Sequence, residues 1–591
     1  MTYKRERNTD HSQSSLLYKL EERPPWVIAA LFGFQQTMVC ISAVVTAPII
    51  ISKAICATAS STALVYMIGT TLVTCGFSTI LQTLLGTRLP LLQGPSYSFL
   101  PPILVLMKSE SMKCPEMDNF TITDNQSATI EQIWMSRMTL IQGGLITASL
   151  VQMLIGLTGL IGFITRYIGP LTIAPLMLLL EISLVPVIVE NVSKHWLSAI
   201  LIFLLITFAI YLSTLNVPLL WYDFANRTFT IKRCRLFSMF PYLMAIGITW
   251  MLALILTESG AFNETTDLHA RTDTSAESIY QASWVRFPYP GQWGIPRVNL
   301  AIFVGMIVGT VCSVIESVGD YAACARVCEC PSPPPHAVNR GIFMEGFCCF
   351  VGGFLGGSTS VTTYSENVGA IGVTKVASRV TMVIAGVILI FLGVFTKFGA
   401  VVSSIPSPIV GGILLVSISV VGGVGLSSTQ LLDMSLTRNM AILGLSIMAG
   451  VMVPQVVKQN PITTGVQEID QAIGVLLKTE MIIGGFVGFI LDNTVPGATF
   501  KQRGIIRRSS VEAHFEQTAD CYLNTVYDMP SPLQDYLNRC PCSRIIPILP
   551  NFSSCKIRPS SKCSPGQIQN ARPTPPSYCT APEIAVIEEP K

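Results

Sequence analysis

Ser360-Val361-Thr362-Thr363-Tyr364-Ser365-Glu366-Asn367-Val368-Gly369 is a polar break in an otherwise apolar run. Gly352-Gly353-Phe354-Leu355-Gly356-Gly357 precedes it and Ala370-Ile371-Gly372-Val373 follows it. None of these pieces reaches the roughly 20 apolar residues that cross a bilayer as a helix. The hydroxyls, the carboxylate and the amide therefore belong to a broken element at membrane depth. Such backbone is tolerated only where protein buries it or water reaches it. A carboxylate near the midplane costs about 2.5–3.5 kcal/mol on insertion scales, so Glu366 is expected to have a task.

The surrounding composition supports this reading. The 591 residues are 50% hydrophobic and only 12% charged, against about 25% charged in soluble domains. The chain is thus an all-α multi-pass membrane protein, with no nucleic acid among its expected partners. Residues 1–25 open with a polar, charged stretch unlike a cleavable signal, so the first apolar segment, from Trp26, acts as an uncleaved anchor. The 17 cysteines do not read as a disulfide framework, since several, such as Cys348 and Cys349, lie in apolar segments. Cys324, Cys328 and Cys330 have uneven spacing and no adjacent His, which argues against a zinc site.

Taken in order, spans are expected at about 26–50 and 61–80. A second broken element follows, Gln93-Gly94-Pro95-Ser96-Tyr97-Ser98-Phe99-Leu100-Pro101-Pro102. The polar loop 108–133 holds glycosylation sequons at Asn119 and Asn125 and reads as external. Further spans lie at about 136–163, 171–189, 196–214 and 239–257. The loop 215–238 carries Arg227, Lys232, Arg233 and Arg235 and reads as cytoplasmic. The polar stretch 258–297, with a sequon at Asn263, is an external loop between two halves, 26–257 and 298–491. The second half offers segments at about 298–318, 341–357, 361–373, 380–400, 408–427, 440–457 and 472–491. The remainder, 492–591, reads as a cytoplasmic and mostly disordered tail, leaving the Asn551 sequon unused.

The tally is about fourteen segments, seven in each half, and an odd number inverts the second half relative to the first. Each half has its short Gly/Pro-interrupted element third. The two even share Ser96-Tyr97-Ser98 and Thr363-Tyr364-Ser365. Corresponding broken segments in two halves point to a transport site at the midplane.

Glu316 and Asp320 are four apart and share a helix face. On an apolar span they suit a cation or N–H donors; the other reading is a solvated helix end. Glu366 and Asn367 stand at the break, where capping competes with ligand binding. Glu181 lies in an apolar span without polar neighbours in sequence. Glu190, beginning a polar stretch, reads as interfacial, Asp492 and Asn493 as ending the last span, and Asp433 with Arg438 as a charged pair in a loop. No nucleophile or metal cluster accompanies the acids, so an enzyme is not expected.

Glu366-Asn367-Val368-Gly369 with Thr374 and Lys375 resembles the signature of the nucleobase–ascorbate transporter (nucleobase/cation symporter-2) family. Glu316 through Arg326 is similar to the family's eighth segment, and Gln93 through Phe99 to its third. The resemblance covers roughly 25–495 and is nearest to the vertebrate sodium-dependent members. It implies a core domain of segments one to four and eight to eleven that slides, elevator-like, against a gate domain of the others. It also implies a plasma-membrane location with both termini cytoplasmic, and a homodimer through the gate. Carried over, Glu316 and Glu366 hydrogen-bond the solute, Tyr97, Ser98, Phe99, Ser365 and Asn367 complete the pocket, and Tyr97 or Phe99 stacks on it. Ascorbate-carrying vertebrate members tend to have Pro where this chain has Glu366; Glu or Gln there goes with nucleobases. A carboxylate accepts from ring N–H groups and repels the ascorbate anion by about 1–4 kcal/mol at 4 Å. Asp320, with the hydroxyls of Ser98 and Thr363, suits Na⁺ as coupling ion; no other cofactor is implied. The family's first segment usually carries Gln-His, where this chain has Gln35-Gln36. The expectation is a sodium-coupled importer of uracil, thymine, guanine, hypoxanthine or xanthine. The alternatives are a sodium-dependent ascorbate transporter, or an ion channel or anion exchanger on a similar inverted repeat.

Overall fold

Seams of small residues hold the helices together, and they repeat in the two halves. The computed structural model describes residues 16–504, except 58–60, 110–111, 113, 115–123, 163–166, 224–227, 264–265 and 274–275, together with 524–530 and 547–548. In the first half α1 (Trp26–Ala54), α2 (Ser61–Leu84), β1 (Gln93–Pro95), α3 (Leu100–Met107) and α4 (Asp124–Thr158) come first. Then follow α5 (Pro170–Val192), α6 (Leu197–Ile206), the strands β2 (Val217–Asp223) and β3 (Thr228–Cys234), and α7 (Pro241–Glu258). The second half holds α8 (Leu300–Val327), α9 (Pro335–Phe354), β4 (Val361–Thr363), α10 (Ser365–Thr374) and α11 (Arg379–Val394), the last continued by Thr396–Ser403. It ends with α12 (Ser407–Ser427), α13 (Thr437–Gln459), α14 (Gln467–Lys478) and α15 (Glu480–Thr494).

Among the described residues eight helices are long and apolar enough to cross a membrane, ten if each sharply bent pair counts as one span. The bends are 79° after α11 and 70° between α14 and α15. The other expected segments are the short apolar helices at Tyr97–Met107 and Leu197–Tyr211, the broken α10, and α9, which carries Arg340 and Glu345.

Exchanging the two halves maps the packing onto itself. The second helix of each half packs on the fourth of the other, α2 on α11 and α9 on α4. Likewise α1 meets α11 while α8 meets α4. In one seam a Cβ on Gly386 would lie 2.8 Å from the Gly76 carbonyl oxygen, and one on Gly393 would press on Gly69. In the other, Gly346 and Gly353 lie against Met153 and Ile146. Without a hydrophobic drive between helices in lipid, such close backbone approach supplies the packing. A second set of helices gathers around α5, which packs on α12, α13 and α15, with α6 on α12 and α7. Glu181 of α5 lies against Gly422 of α12, where a Cβ would overlap its carboxylate.

Several expectations are corrected. The loop 215–238 is a β-hairpin, β2 pairing with β3 from Val217↔Cys234 to Asp223↔Thr228. The helix expected from about 136 starts at Asp124, so the Asn125 sequon falls in its first turn rather than a loop; Asn119 lies outside the described residues. Cysteine does crosslink the chain: Cys56, just past α1, is disulfide-bonded to Cys114. Arg438 belongs to α13 and pairs with Asp492 (3.1 Å) rather than Asp433, and Arg503 joins the same carboxylate (2.9 Å). Asp492 is thereby a buried bridge between α13, α15 and the start of the tail.

Part of the tail is ordered as well. Tyr527 is fully buried. Its carbonyl accepts from Arg340 Nη2 (2.5 Å) and that of Val526 accepts from Arg379 Nη2 (2.5 Å). The N-terminal segment docks on the same end, where Tyr18 bridges to Val376 and the amides of Ala377 and Arg379 donate to Tyr18 and Leu20. Both straps close on the junction between α10 and α11, where Lys375 takes a left-handed φ of 59°.

The seam gives a stability test. Gly386→Val forces its Cβ into the Gly76 carbonyl and Ile80, and overpacking of this kind costs about 1–3 kcal/mol or more. Thermal unfolding in detergent should show a clearly lowered midpoint for Gly386→Val. Gly247→Ala, which meets nothing within 4 Å, should unfold like the parent.

Candidate functional site

Strands β1 and β4 bring the two breaks together. They pair antiparallel, Gln93↔Thr363, Gly94↔Thr362 and Pro95↔Val361. The pairing is extended by Ser96 N to Ser360 O (3.0 Å) and Tyr364 N to Leu92 O (3.1 Å). Each chain thus satisfies the backbone groups that the other's break exposes. A helix begins just past each strand: the 3-10 turn Tyr97–Phe99 leads into α3, and Ser365 opens α10. Two helix N-termini therefore open beside one ribbon.

Asn367 braces this centre. Its Oδ1 accepts from Leu92 N (3.0 Å) and its Nδ2 donates to Gln36 Oε1 (2.9 Å). The side chain is fully buried, so both ends of the amide are spent within the protein. Gln36, standing where the family usually has His, supplies the acceptor that locks α1 to α10.

The carboxylates stand on one side of the ribbon. Asp320 Oδ1 accepts from Ser365 Oγ (2.8 Å), and the Thr363 hydroxyl reaches the same group. Glu316, one turn earlier on α8, accepts from Ser98 Oγ at 3.5 Å. Glu316 is in electrostatic range of Asp320 and Glu366. Among the described residues none of the three forms a salt bridge, and both Asp320 Oδ2 and Glu366 Oε1 are buried without a hydrogen-bond partner. Glu316 and Asp320 are therefore no solvated helix end.

The aromatic residues divide. Tyr97 sets its hydroxyl on Thr46 (3.2 Å) and Tyr364 on Ser42 (3.3 Å), both from α1. The Tyr364 ring lies over Gly94, where a Cβ would come within 2.8 Å of it. Phe99 packs its ring against Gly309 of α8 and is 1% exposed. Ser98 lies with Glu316, whereas Thr363 lies with Asp320 and Ser317 (3.2 Å), so the two hydroxyls expected to share one cation are divided between two acids.

Sequence reasoning missed Glu345. It is 1% exposed on α9 and accepts from Ser317 Oγ at both oxygens (3.0 and 2.9 Å), from Gln152 Nε2 (3.0 Å), and from Tyr321 and Ser313 at 3.4 Å. Ser317 also contacts Thr362 of β4 (3.0 Å). This carboxylate fastens α4, α8 and α9 beneath the ribbon. Its signal was present as the lone acid in Gly341–Phe354, the same signal that drew attention to Glu366. A separate cleft of about 920 Å³ opens between α3, α5, α13 and α14; it includes none of the ribbon's acids.

Residues 28–459 match a family described as "Permease family". The chain is 37% identical to solute carrier family 23 member 2 of Rattus norvegicus, over 92% of this chain and 84% of that protein. It is 38% identical to member 1 of Mus musculus, over 91% and 89%. Nucleobase-ascorbate transporter 6 of Arabidopsis thaliana is 31% identical over 81% and 87%. Among solved structures, the transmembrane domain of the cyanobacterial bicarbonate transporter BicA aligns with a TM-score of 0.44 at 12% identity, over 73% of this chain and 97% of that one.

The Glu345 network yields its own test. Glu345→Ala strands several buried donors, each costing about 1–3 kcal/mol, and should lower the unfolding midpoint strongly. Glu345→Gln, which replaces one acceptor oxygen by a donor, should fall between Ala and the parent in the same melting assay. Equal midpoints for all three would remove Glu345 from its bracing role.

Proposed function

The chain belongs to the nucleobase–ascorbate permease family, and on that premise we propose that it imports nucleobases coupled to Na⁺. The observation that carries this reading is Glu366, whose buried Oε1 has no partner among the described residues. It stands with Glu316 and Asp320, acids that form no salt bridge among the described residues. Such a site favours a neutral heterocycle with ring N–H donors and disfavours an anion. Glu366 and Glu316 are the acceptors, Tyr97 offers the ring, and Asn367 and Phe99 keep the frame.

For the coupling ion, Asp320 Oδ2 is the unpartnered oxygen, with the Thr363 hydroxyl beside the same carboxylate. Oxygen donors of this kind suit a hard cation. One charge moving down 100 mV releases about 2.3 kcal/mol, and a tenfold gradient adds about 1.4 kcal/mol. Together they sustain a several-hundred-fold accumulation of an uncharged solute. Transport proceeds by the helices of the ribbon, α1–α4 and α8–α11, sliding against those around α5.

Sidedness follows from chemistry at the two ends of α1. The Cys56–Cys114 disulfide belongs to an oxidising compartment. Arg88, Arg340 and Arg379 gather at the opposite end, with both straps, as expected of a cytoplasmic face. The setting is the plasma membrane. The exposed row Leu445, Met448 and Met452 on α13 is offered to lipid or to a second copy.

Ascorbate is the second reading. Overall similarity to the two vertebrate solute carriers favours it, since that branch of the family includes ascorbate carriers. One residue separates the readings by experiment. Glu366 occupies the second position of α10, in the first turn, where proline is tolerated. Glu366→Pro therefore alters chemistry with little damage to the helix.

Cells expressing the chain should take up radiolabelled uracil in a saturable, sodium-dependent way. Glu366→Pro should abolish that uptake while surface expression persists. Ascorbate uptake by the parent, with none of uracil, would replace the first reading by the second, and undiminished uracil uptake without sodium would remove the coupling.

A further inference from the structure

The three acids and two tyrosines above all belong to helices of the ribbon, so nothing named so far covers a solute from the other side. One polar pair does stand there. Tyr242 is the second residue of α7, and its phenol oxygen accepts from Ser417 Oγ of α12 at 3.4 Å. Both helices belong to the set around α5. They close on the second break at several points: α7 and α12 touch α1, α12 touches α10, and the one-turn helix Leu236–Met239 before α7 also touches α10. Gln35 of α1 donates to the Met239 carbonyl at 3.4 Å, three residues before Tyr242. Electrostatically, Tyr242 is in range of Glu366 and of Tyr97, one from each broken segment.

The three tyrosines differ in the body that holds their hydroxyls. Tyr97 and Tyr364 have their hydroxyls on Thr46 and Ser42 of α1. Tyr242 is held from the other body: it receives a hydrogen bond from Ser417 of α12, which leaves its own proton to give. On α10, Glu366 keeps an oxygen with nothing to accept from among the described residues. An acceptor and a donor, facing the same break from two bodies, match a ligand edge carrying an N–H next to a C=O.

We propose that Tyr242, oriented by Ser417, is the specificity-determining contact on the gate side. Glu366 takes the N–H of a cyclic lactam or imide, and the Tyr242 hydroxyl gives its proton to the adjoining carbonyl. This rests on the nucleobase reading for the identity of the solute, and adds to it the residue that closes the site from the opposite body. Because the two halves of the hydrogen-bonded pair sit on parts that slide past one another, the lactam edge is read only when the bodies are in register. Ser417 is a positioning residue: it fixes the phenol without touching the solute.

The test compares uptake by the parent, Tyr242→Phe and Ser417→Ala, each normalised to surface protein. Uracil and ascorbate are both offered, with unlabelled uracil, hypoxanthine and adenine as competitors. Tyr242→Phe, which keeps the ring, should raise the uracil KM about three- to tenfold, the worth of one hydrogen bond, with Vmax within twofold. It should also narrow the preference for uracil and hypoxanthine over adenine, a change of ranking that loss of folding would not cause. Ser417→Ala should move the ranking in the same direction by less. Unchanged KM and ranking in Tyr242→Phe overturn the proposal while leaving the nucleobase reading in place. If the parent carries ascorbate alone, the nucleobase reading fails and the lactam contact fails with it. A parent that takes up neither solute overturns both.

Discussion

A chain that breaks inside a bilayer exposes amide and carbonyl groups that lipid cannot satisfy, at several kcal/mol each. Here one break is satisfied by the other. Three residues from each half form an antiparallel ribbon, and the flanking amides of Ser96 and Tyr364 lengthen it. Neither broken segment is tenable alone in this position. That mutual dependence fixes where the two helix N-termini begin, and hence where Tyr97, Ser365 and Glu366 stand. The Asn367 amide then ties the ribbon to α1 through Gln36, so the site has three anchors rather than one.

Antiparallel pairing of equivalent strands is what a two-fold axis between inverted halves produces, and the helix contacts obey the same exchange. The glycine seams between α2 and α11 and along α9 and α4 are the packing counterpart of the ribbon. A helix pair whose backbones touch resists shear, which suits a body that has to move as a unit. Glu345 extends the same rigidity to α8. The straps at the two ends of the chain close on the α10–α11 junction, so the second broken helix is held at its start by the ribbon and at its end by Tyr18, Leu20 and the two arginines.

Much of this was readable from residue order. The breaks, their third place in each half, and the shared face of Glu316 and Asp320 depend on local composition and helical period, which sequence states directly. What escaped depends on distance in the chain. Asn367 was read as a possible ligand because its partners, Leu92 and Gln36, lie about 275 and 331 positions away. Phe99 is likewise spent on a distant partner, its ring against Gly309 of α8. Glu345 is hidden for a different reason: it is a lone acid in an apolar helix, and the donors that meet it come from α4 and α8. The hairpin at 217–234 is hidden by its charges, since a basic cluster reads as a cytoplasmic loop whatever its backbone pairing.

Burial alone does not separate Asp320 and Glu366 from Glu345; hydrogen-bond satisfaction does. Glu345 is as deeply placed as any carboxylate here, yet donors from α4 and α8 approach both its oxygens, and it has nothing left to offer a ligand. Asp320 and Glu366 each retain an oxygen without a partner among the described residues, as do the Gln93 amide and the Ser96 hydroxyl of the adjoining ribbon. A buried polar atom left unpaired costs about 1–3 kcal/mol, and a fold that needed these acids only for packing would have closed them as it closed Glu345. Asp320 and Glu366, beside the paired breaks, keep bonding capacity for something that comes and goes.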